Sequence, residues 1–400
     1  MEIRAIARGV GLILTLQIQC AAAVEASAPP VSRIPVEIVG NHIFVKVEVN
    51  GSAPLDFVLD TGATDYGLDR RTADALGIHT KPLGELGDVG TGDDSTQVSV
   101  AEEVSFRIGG ITLAHKVAYV VGFGDLDERT GHRIDGVIGA DLFQGYVVEI
   151  DYARSLVSLF EPKRYRYTGS GEAIPISLVE GRPFVRAGLD VGGRRITAKA
   201  LIDSGDGATL ALHTPFVASH GLPRRGQATI ADAAYGVAGE SRQLLVRLDG
   251  LRIGRFVLRR PVVALARATS GTLADPSFDG SIGGEVLRRF RVVFDYTRRR
   301  VHLERNAVFG APFEVDASGL GLRAGRPDYT RIEVDRVSEP SPASTAGLRK
   351  GDRLIALDGR RDVSLADFEA AFRIPGRAYS LVVERGGSEF QTTLSTTPGI

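Results

Sequence analysis

Two short stretches carry aspartates in a setting that could do chemistry. "DFVLDTGAT" ends an apolar run with Asp60, followed by Thr61 and Gly62, and "KALIDSGDGAT" ends another with Asp203, followed by Ser204 and Gly205. A lone aspartate before a glycine is an ordinary turn residue, because its side chain bonds its own backbone. A repeated strand-Asp-hydroxyl-Gly unit permits more. If the two strand ends face each other, the carboxylates share one site, cannot both ionise readily and titrate as a pair. One ionised and one protonated acid is the arrangement that activates water: the first takes a proton from it while the second supports the oxyanion formed on an attacked carbonyl. Gly62 and Gly205 would let the two backbones approach where a Cβ would clash. The Thr61 and Ser204 hydroxyls are placed to bond across such an interface.

The elements that must hold these residues are themselves repeated. Asp203 stands 143 residues after Asp60, and "IDGVIGADLF" recurs as "FDGSIGGEVL" with Gly139 against Gly283, 144 residues on. "VVEIDYARSLVSLFE" recurs as "RVVFDYTRRRVHLER" at the same spacing. The stretch from about residue 33 to 308 therefore reads as a duplication. Each copy is strand-rich. Alternating residues flank the turn signals Asn50-Gly51 and Gly192-Gly193, and each aspartate is followed by a short helix. Asp69 is expected to cap the first helix and Gly77 to stop it; Thr214 is expected to cap the second, with Pro215 at its first position and Gly221 as its stop. A further short helix is expected at each Gly-rich second motif. Asn50-Gly51-Ser52 also spells a glycosylation acceptor, but the turn accounts for those residues.

Composition excludes several function classes. The 400 residues are 43% hydrophobic and 24% charged, with 48 basic and 49 acidic side chains, so no basic field exists for nucleic acid or an anionic membrane. Residues 1–23, with Arg4 and Arg8, an apolar run from Val10 to Leu16 and Ala21-Ala22-Ala23, read as a signal peptide that sends the chain to the periplasm or outside the cell. Membrane attachment would require that segment to stay uncleaved. Cys20 is the single cysteine, so the mature chain would have neither a disulfide framework nor thiol chemistry. The seven histidines show no metal-binding spacing, "DSGDG" lacks the alternating oxygens of a calcium loop, and neither a Walker loop nor Gly-x-Ser-x-Gly occurs. No metal or other cofactor is expected.

With these residues in view, the chain resembles the aspartic peptidases of the pepsin and retropepsin type. "DTGA" and "DSG" resemble their two active-site loops. Val137-Ile138-Gly139 and Ser281-Ile282-Gly283 resemble the motif that supports each loop. The resemblance implies two pseudo-twofold-related, β-barrel-like lobes (33–165 and 170–308), catalytic Asp60 and Asp203, loops linked by Thr61 and Ser204, and a polypeptide substrate. It also implies hairpin flaps, by position at Gly87 to Thr96 and Ala233 to Ser241. Two departures stand out: where such enzymes usually carry Ser or Thr after the Gly, this chain has Ala63 and Asp206. If Asp206 points inward, like-charge repulsion raises the pair's pKa; a solvated turn residue pointing outward is the expectation.

Residues 315–397 read as short strands with one helix, Leu365 to Phe372, capped by Ser364. They resemble a PDZ domain, an α+β module, and Gly319-Leu320-Gly321-Leu322 resemble its carboxylate-binding loop. The resemblance implies a C-terminal or extended peptide added as a strand. The whole is thus expected to be mainly β: an exported aspartic endopeptidase with a PDZ module, the alternative being a catalytically silent peptide-binding protein of the same fold.

Overall fold

The computed structural model describes residues 28–86 and 90–400. The expected signal peptide, with Cys20, and Gly87 to Val89 of the first expected flap lie outside the described residues. The chain is mainly β, as expected, with short helices between strands.

Asp60 sits in an eight-stranded sheet. Strand Leu55–Leu59 pairs antiparallel with His42–Val49 on one side and parallel with Gly136–Ile138 on the other; Tyr66–Asp69, Ile111–Val121, Thr96–Ile108 and Lys81–Leu86 follow in that order. Asn50 and Gly51, at φ 51° and 79°, form the expected turn between the first two strands, and Gly192 and Gly193, at 55° and 79°, form its copy. Asp203 sits in a ten-stranded sheet with the same local order. Strand Arg194–Ile202 lies between Arg182–Val191 and a parallel Gly280–Ile282, followed by Leu210–Leu212, Val262–Ala266, Gly239–Arg247 and Ile230–Gly236. The strand count differs because the part of the second sheet matching one long strand pair of the first is broken into separate strands, Gly250–Ile253 and Phe256–Arg259.

A six-stranded sheet joins the two copies. Each contributes three strands, and Val147–Asp151 of the first pairs antiparallel with Phe290–Asp295 of the second, Ile150 opposite Val292. One apolar core runs through both copies and this shared sheet, from Ile34 to Phe313. Burial of that single core, together with this strand pairing, holds the copies in register.

Residues 320–395 form a separate five-stranded antiparallel sheet around its own core, including Leu354, Phe368, Phe372 and Leu381. Ser364 caps helix Leu365–Phe372 in a reciprocal box with Asp367, as expected. Asp69 caps helix Arg70–Ala75 through the Arg71 N–H. The cap expected at Thr214 falls one residue earlier, at His213, because Thr214 already has helical backbone and Pro215 follows inside the first turn.

Candidate active site

Each aspartate is placed by the parallel pairing beside it. Asp60 N–H donates to Ile138 O at 2.9 Å, and Asp203 N–H donates to Ile282 O at 2.9 Å. Gly139 and Gly283 end those supporting strands where the active-site loops pass. A Cβ on Gly139 would lie 2.2 Å from Asp65 O, and one on Gly283 2.4 Å from Ala208 O. Only glycine fits there without moving the loop.

The two loops interlock. Thr61 N–H donates to Ser204 Oγ at 3.0 Å and Ser204 N–H to Thr61 Oγ1 at 3.0 Å, while the hydroxyls donate onward to Ile202 O and Leu59 O, both at 2.7 Å. Thr61 and Ser204 are fully buried, so these four bonds satisfy groups that water cannot reach. The glycines cross over in the same way. A Cβ on Gly62 would sit 2.6 Å from the Asp203 carboxyl, and one on Gly205 would sit 2.3 Å from the Asp60 carboxyl. Both carboxyls therefore occupy one site, as the repeat predicts.

Their surroundings differ. Asp60 Oδ1 accepts from Gly62 N–H at 2.7 Å and Ala63 N–H at 3.1 Å, whereas Asp203 Oδ1 accepts from Gly205 N–H at 2.9 Å. Burial pushes the Asp60 carboxyl above the ordinary 3.8, and the Gly62 amide pulls against it. Burial pushes Asp203 well above that value, reinforced first by the Asp60 charge and then by Asp206. Burial therefore raises both carboxyls, and the pair titrates as one coupled unit.

Asp206 departs from its expected solvated placement. It is half-buried, accepting from Ala208 N–H at 2.8 Å and from Ser281 Oγ at 3.0 Å. Ser281 stands where the first copy has Val137, so the polar pair Asp206 and Ser281 replaces the apolar pair Ala63 and Val137. Tyr296 is a site neighbour that sequence reasoning missed. Its hydroxyl is buried without a hydrogen-bond partner among the described residues and held well above its ordinary pKa, by burial and then by the charges of Asp60 and Asp203. The repeated "DY" was the available signal; Tyr152, its copy, is buried too.

The second expected flap is a hairpin of strands Ile230–Gly236 and Gly239–Arg247. Its tip meets the loop carrying the other flap. Ala238 N–H donates to Thr91 O at 3.0 Å, Asp94 N–H to Ala238 O at 3.0 Å, and Ser241 Oγ to Asp93 Oδ1 at 3.0 Å. Val237 packs on the cluster of Phe44, Val58, Val98, Val121, Phe123 and Ile134. That cluster includes the strand leading to Asp60.

In the C-terminal sheet, Gly319 has φ 79° and a Cβ there would lie 2.4 Å from Ser341, so the loop requires this glycine. Gly319 N–H donates to Asp316 Oδ2 at 2.6 Å and Leu320 N–H to Ser318 Oγ at 3.0 Å. Two of the loop's four amides are thus satisfied internally. Gly321 and Leu322 continue into strand Leu320–Gly325, which among the described residues has a strand neighbour on one side only.

Comparison with known proteins bears on the first copy directly. Residues 45–142 match the family model "Aspartyl protease", a span that holds Asp60 and Gly139 but ends before Asp203. The chain is also 35% identical over 99 residues to "Regulator of sigma-E protease RseP" of Escherichia coli, covering 24% of this chain and 22% of that protein. It is 38% identical over 65 residues to "Putative zinc metalloprotease Atu1380" of Agrobacterium fabrum, covering 16% of this chain and 17% of that one. The chain spans about a fifth of the length of these curated relatives. The family-model match supports a peptidase reading of the first copy.

Proposed function

We propose that the protein is an exported aspartic endopeptidase of two pseudo-symmetric lobes, with Asp60 and Asp203 as its catalytic pair and a C-terminal PDZ module. The observation that carries this reading is the crossed packing of Gly62 on the Asp203 carboxyl and Gly205 on the Asp60 carboxyl. It brings two acids of unequal proton affinity into one site. In the reaction, ionised Asp60 takes a proton from a water held between the carboxyls, and that water attacks the peptide carbonyl. Protonated Asp203 supports the oxyanion, and a proton passes to the leaving nitrogen as the C–N bond breaks. Thr61 and Ser204 hold the pair; Val137-Ile138-Gly139 and Ser281-Ile282-Gly283 support its loops.

The PDZ module supplies strand Leu320–Gly325, paired with a strand on one side only, for an extended peptide to add to at its Leu320 end, since Gly131 of the first copy lies against Ala324 farther along. Because Asp316 and Ser318 already hold two loop amides, an internal segment suits it better than a C-terminal carboxylate.

The test is cleavage of a denatured protein by the mature chain, beside Asp60→Asn and Asp203→Asn, from about pH 3 to about pH 8. Each variant should lose activity by on the order of 10²–10⁴ while keeping the wild-type fold by circular dichroism. Cleavage that persists in both variants would overturn the assignment. Absence of cleavage by wild type throughout that range would leave the fold a peptide binder.

A further inference from the structure

Hairpin Ile230–Arg247 is held from outside as well as at its tip. Arg336 of the C-terminal sheet reaches Asp232 at 3.0 Å. Arg129 lies with its guanidinium 3.4 Å from the centre of the Tyr235 ring and pairs with Asp125 at 2.9 Å and Asp335 at 3.0 Å. One arginine of the first copy therefore joins the hairpin to the C-terminal unit. The helix that carries it, Leu126–Thr130, is fixed to that unit through Asp127. This buried carboxylate accepts from Arg326 Nε at 2.7 Å and from Tyr329 Oη at 2.9 Å. Gly131, directly after the helix, lies against Leu365 and Ala324.

These contacts oppose movement of one element. The tip of the hairpin sits on Thr91 to Asp94 of the other copy, and its Val237 packs on the cluster that includes Val58, two residues before Asp60. A polypeptide threading between the copies has to part the tip from that loop. Lifting the hairpin carries Asp232 and Tyr235 away from Arg336 and Arg129.

We propose that the C-terminal unit is a built-in brake: by gripping Asp232 and Tyr235 through Arg336 and Arg129, it holds the hairpin down and limits entry of substrate. This rests on the peptidase reading for its consequence but not for its mechanism, because hairpin opening is measurable without turnover. None of the four gripping residues touches the carboxyl pair, so their replacement acts on access and leaves the chemistry in place.

The experiment measures hydrogen exchange of the hairpin amides in the full chain, together with cleavage of a denatured protein. It compares wild type, Asp232→Ala, Arg129→Ala, the reversals Asp232→Arg and Arg336→Asp, their double reversal, and Arg361→Ala. The last breaks an ion pair with Glu389 at 2.7 Å that does not involve the hairpin. Asp232→Ala and Arg129→Ala should each speed exchange at Ala233 to Ser241 by about threefold to tenfold and raise cleavage in parallel. The double reversal should restore wild-type exchange, and Arg361→Ala should change neither readout. Hairpin exchange that stays at the wild-type rate in both alanine variants overturns the proposal. So does faster exchange accompanied by slower cleavage, which would make the grip a support for the active conformation. Faster exchange with no cleavage by any form, wild type included, supports the grip on the hairpin and overturns the peptidase reading alone.

Discussion

Gly62 and Gly205 each lie against the carboxyl of the opposite loop, so a single methyl at either place pushes the carboxyl pair apart. Gly62→Ala should cost about 1–3 kcal/mol in urea unfolding and reduce cleavage far more than that loss of stability explains. Titration supplies a second prediction. Asp203 binds its proton more tightly in the folded chain than its ordinary 3.8. Its contribution to stability is therefore full below that value and is lost as pH rises through the higher folded pKa. Asp203→Asn, which stays neutral, should raise the melting temperature relative to wild type at neutral pH, with the difference closing toward acid. A melting temperature at neutral pH no higher than wild type would contradict the pair's raised proton affinity. Asp206 adds to that affinity, so Asp206→Ala should move the alkaline limb of the pH-activity profile to lower pH. Superimposable profiles would remove Asp206 from the site's electrostatics.

At the scale of elements, the link between the loops is the part most open to mutation. Ser204→Ala removes the acceptor of Thr61 N–H and the donor to Leu59 O, two buried bonds at 3.0 and 2.7 Å. Leaving those groups unpaired should cost about 1–3 kcal/mol for each, read as a lower denaturation midpoint, whereas Thr61→Ser keeps the hydroxyl and should cost much less. Much of this arrangement was legible in the sequence because duplication writes each element twice. The Asp-hydroxyl-Gly corners, the Gly-rich supports, the Asn50-Gly51 and Gly192-Gly193 turns and the Ser364 cap all carry local signals. The pairing that forms the joining sheet carries none. Val147–Asp151 and Phe290–Asp295 are apolar runs that state burial but not which strand lies alongside. Helix Leu126–Thr130 was missed for a related reason: it is short, and its charged residues take their meaning from Arg326, Tyr329 and Asp335, about two hundred residues away. Asp206 was misplaced because a Gly-flanked aspartate looks the same in sequence whether it meets solvent or Ser281.

For the molecule as a whole, Asp127 is a buried fastening between the first copy and the C-terminal sheet. Asp127→Ala should destabilise by about 3 kcal/mol, toward the low end for a broken buried pair because its arginine partners keep access to water. Calorimetry should then show the C-terminal sheet melting apart from the rest, which its separate core permits. An unchanged single transition would mean that other contacts suffice to hold it. The six-stranded sheet has a different implication. Because one chain supplies both central strands, the two acids meet by intramolecular closure, and their encounter needs no second molecule. A site assembled from separate chains empties on dilution as the chains part. Here the proposed cleavage, measured per molecule, should stay constant on dilution, down to concentrations too low to sustain any association between copies of the chain.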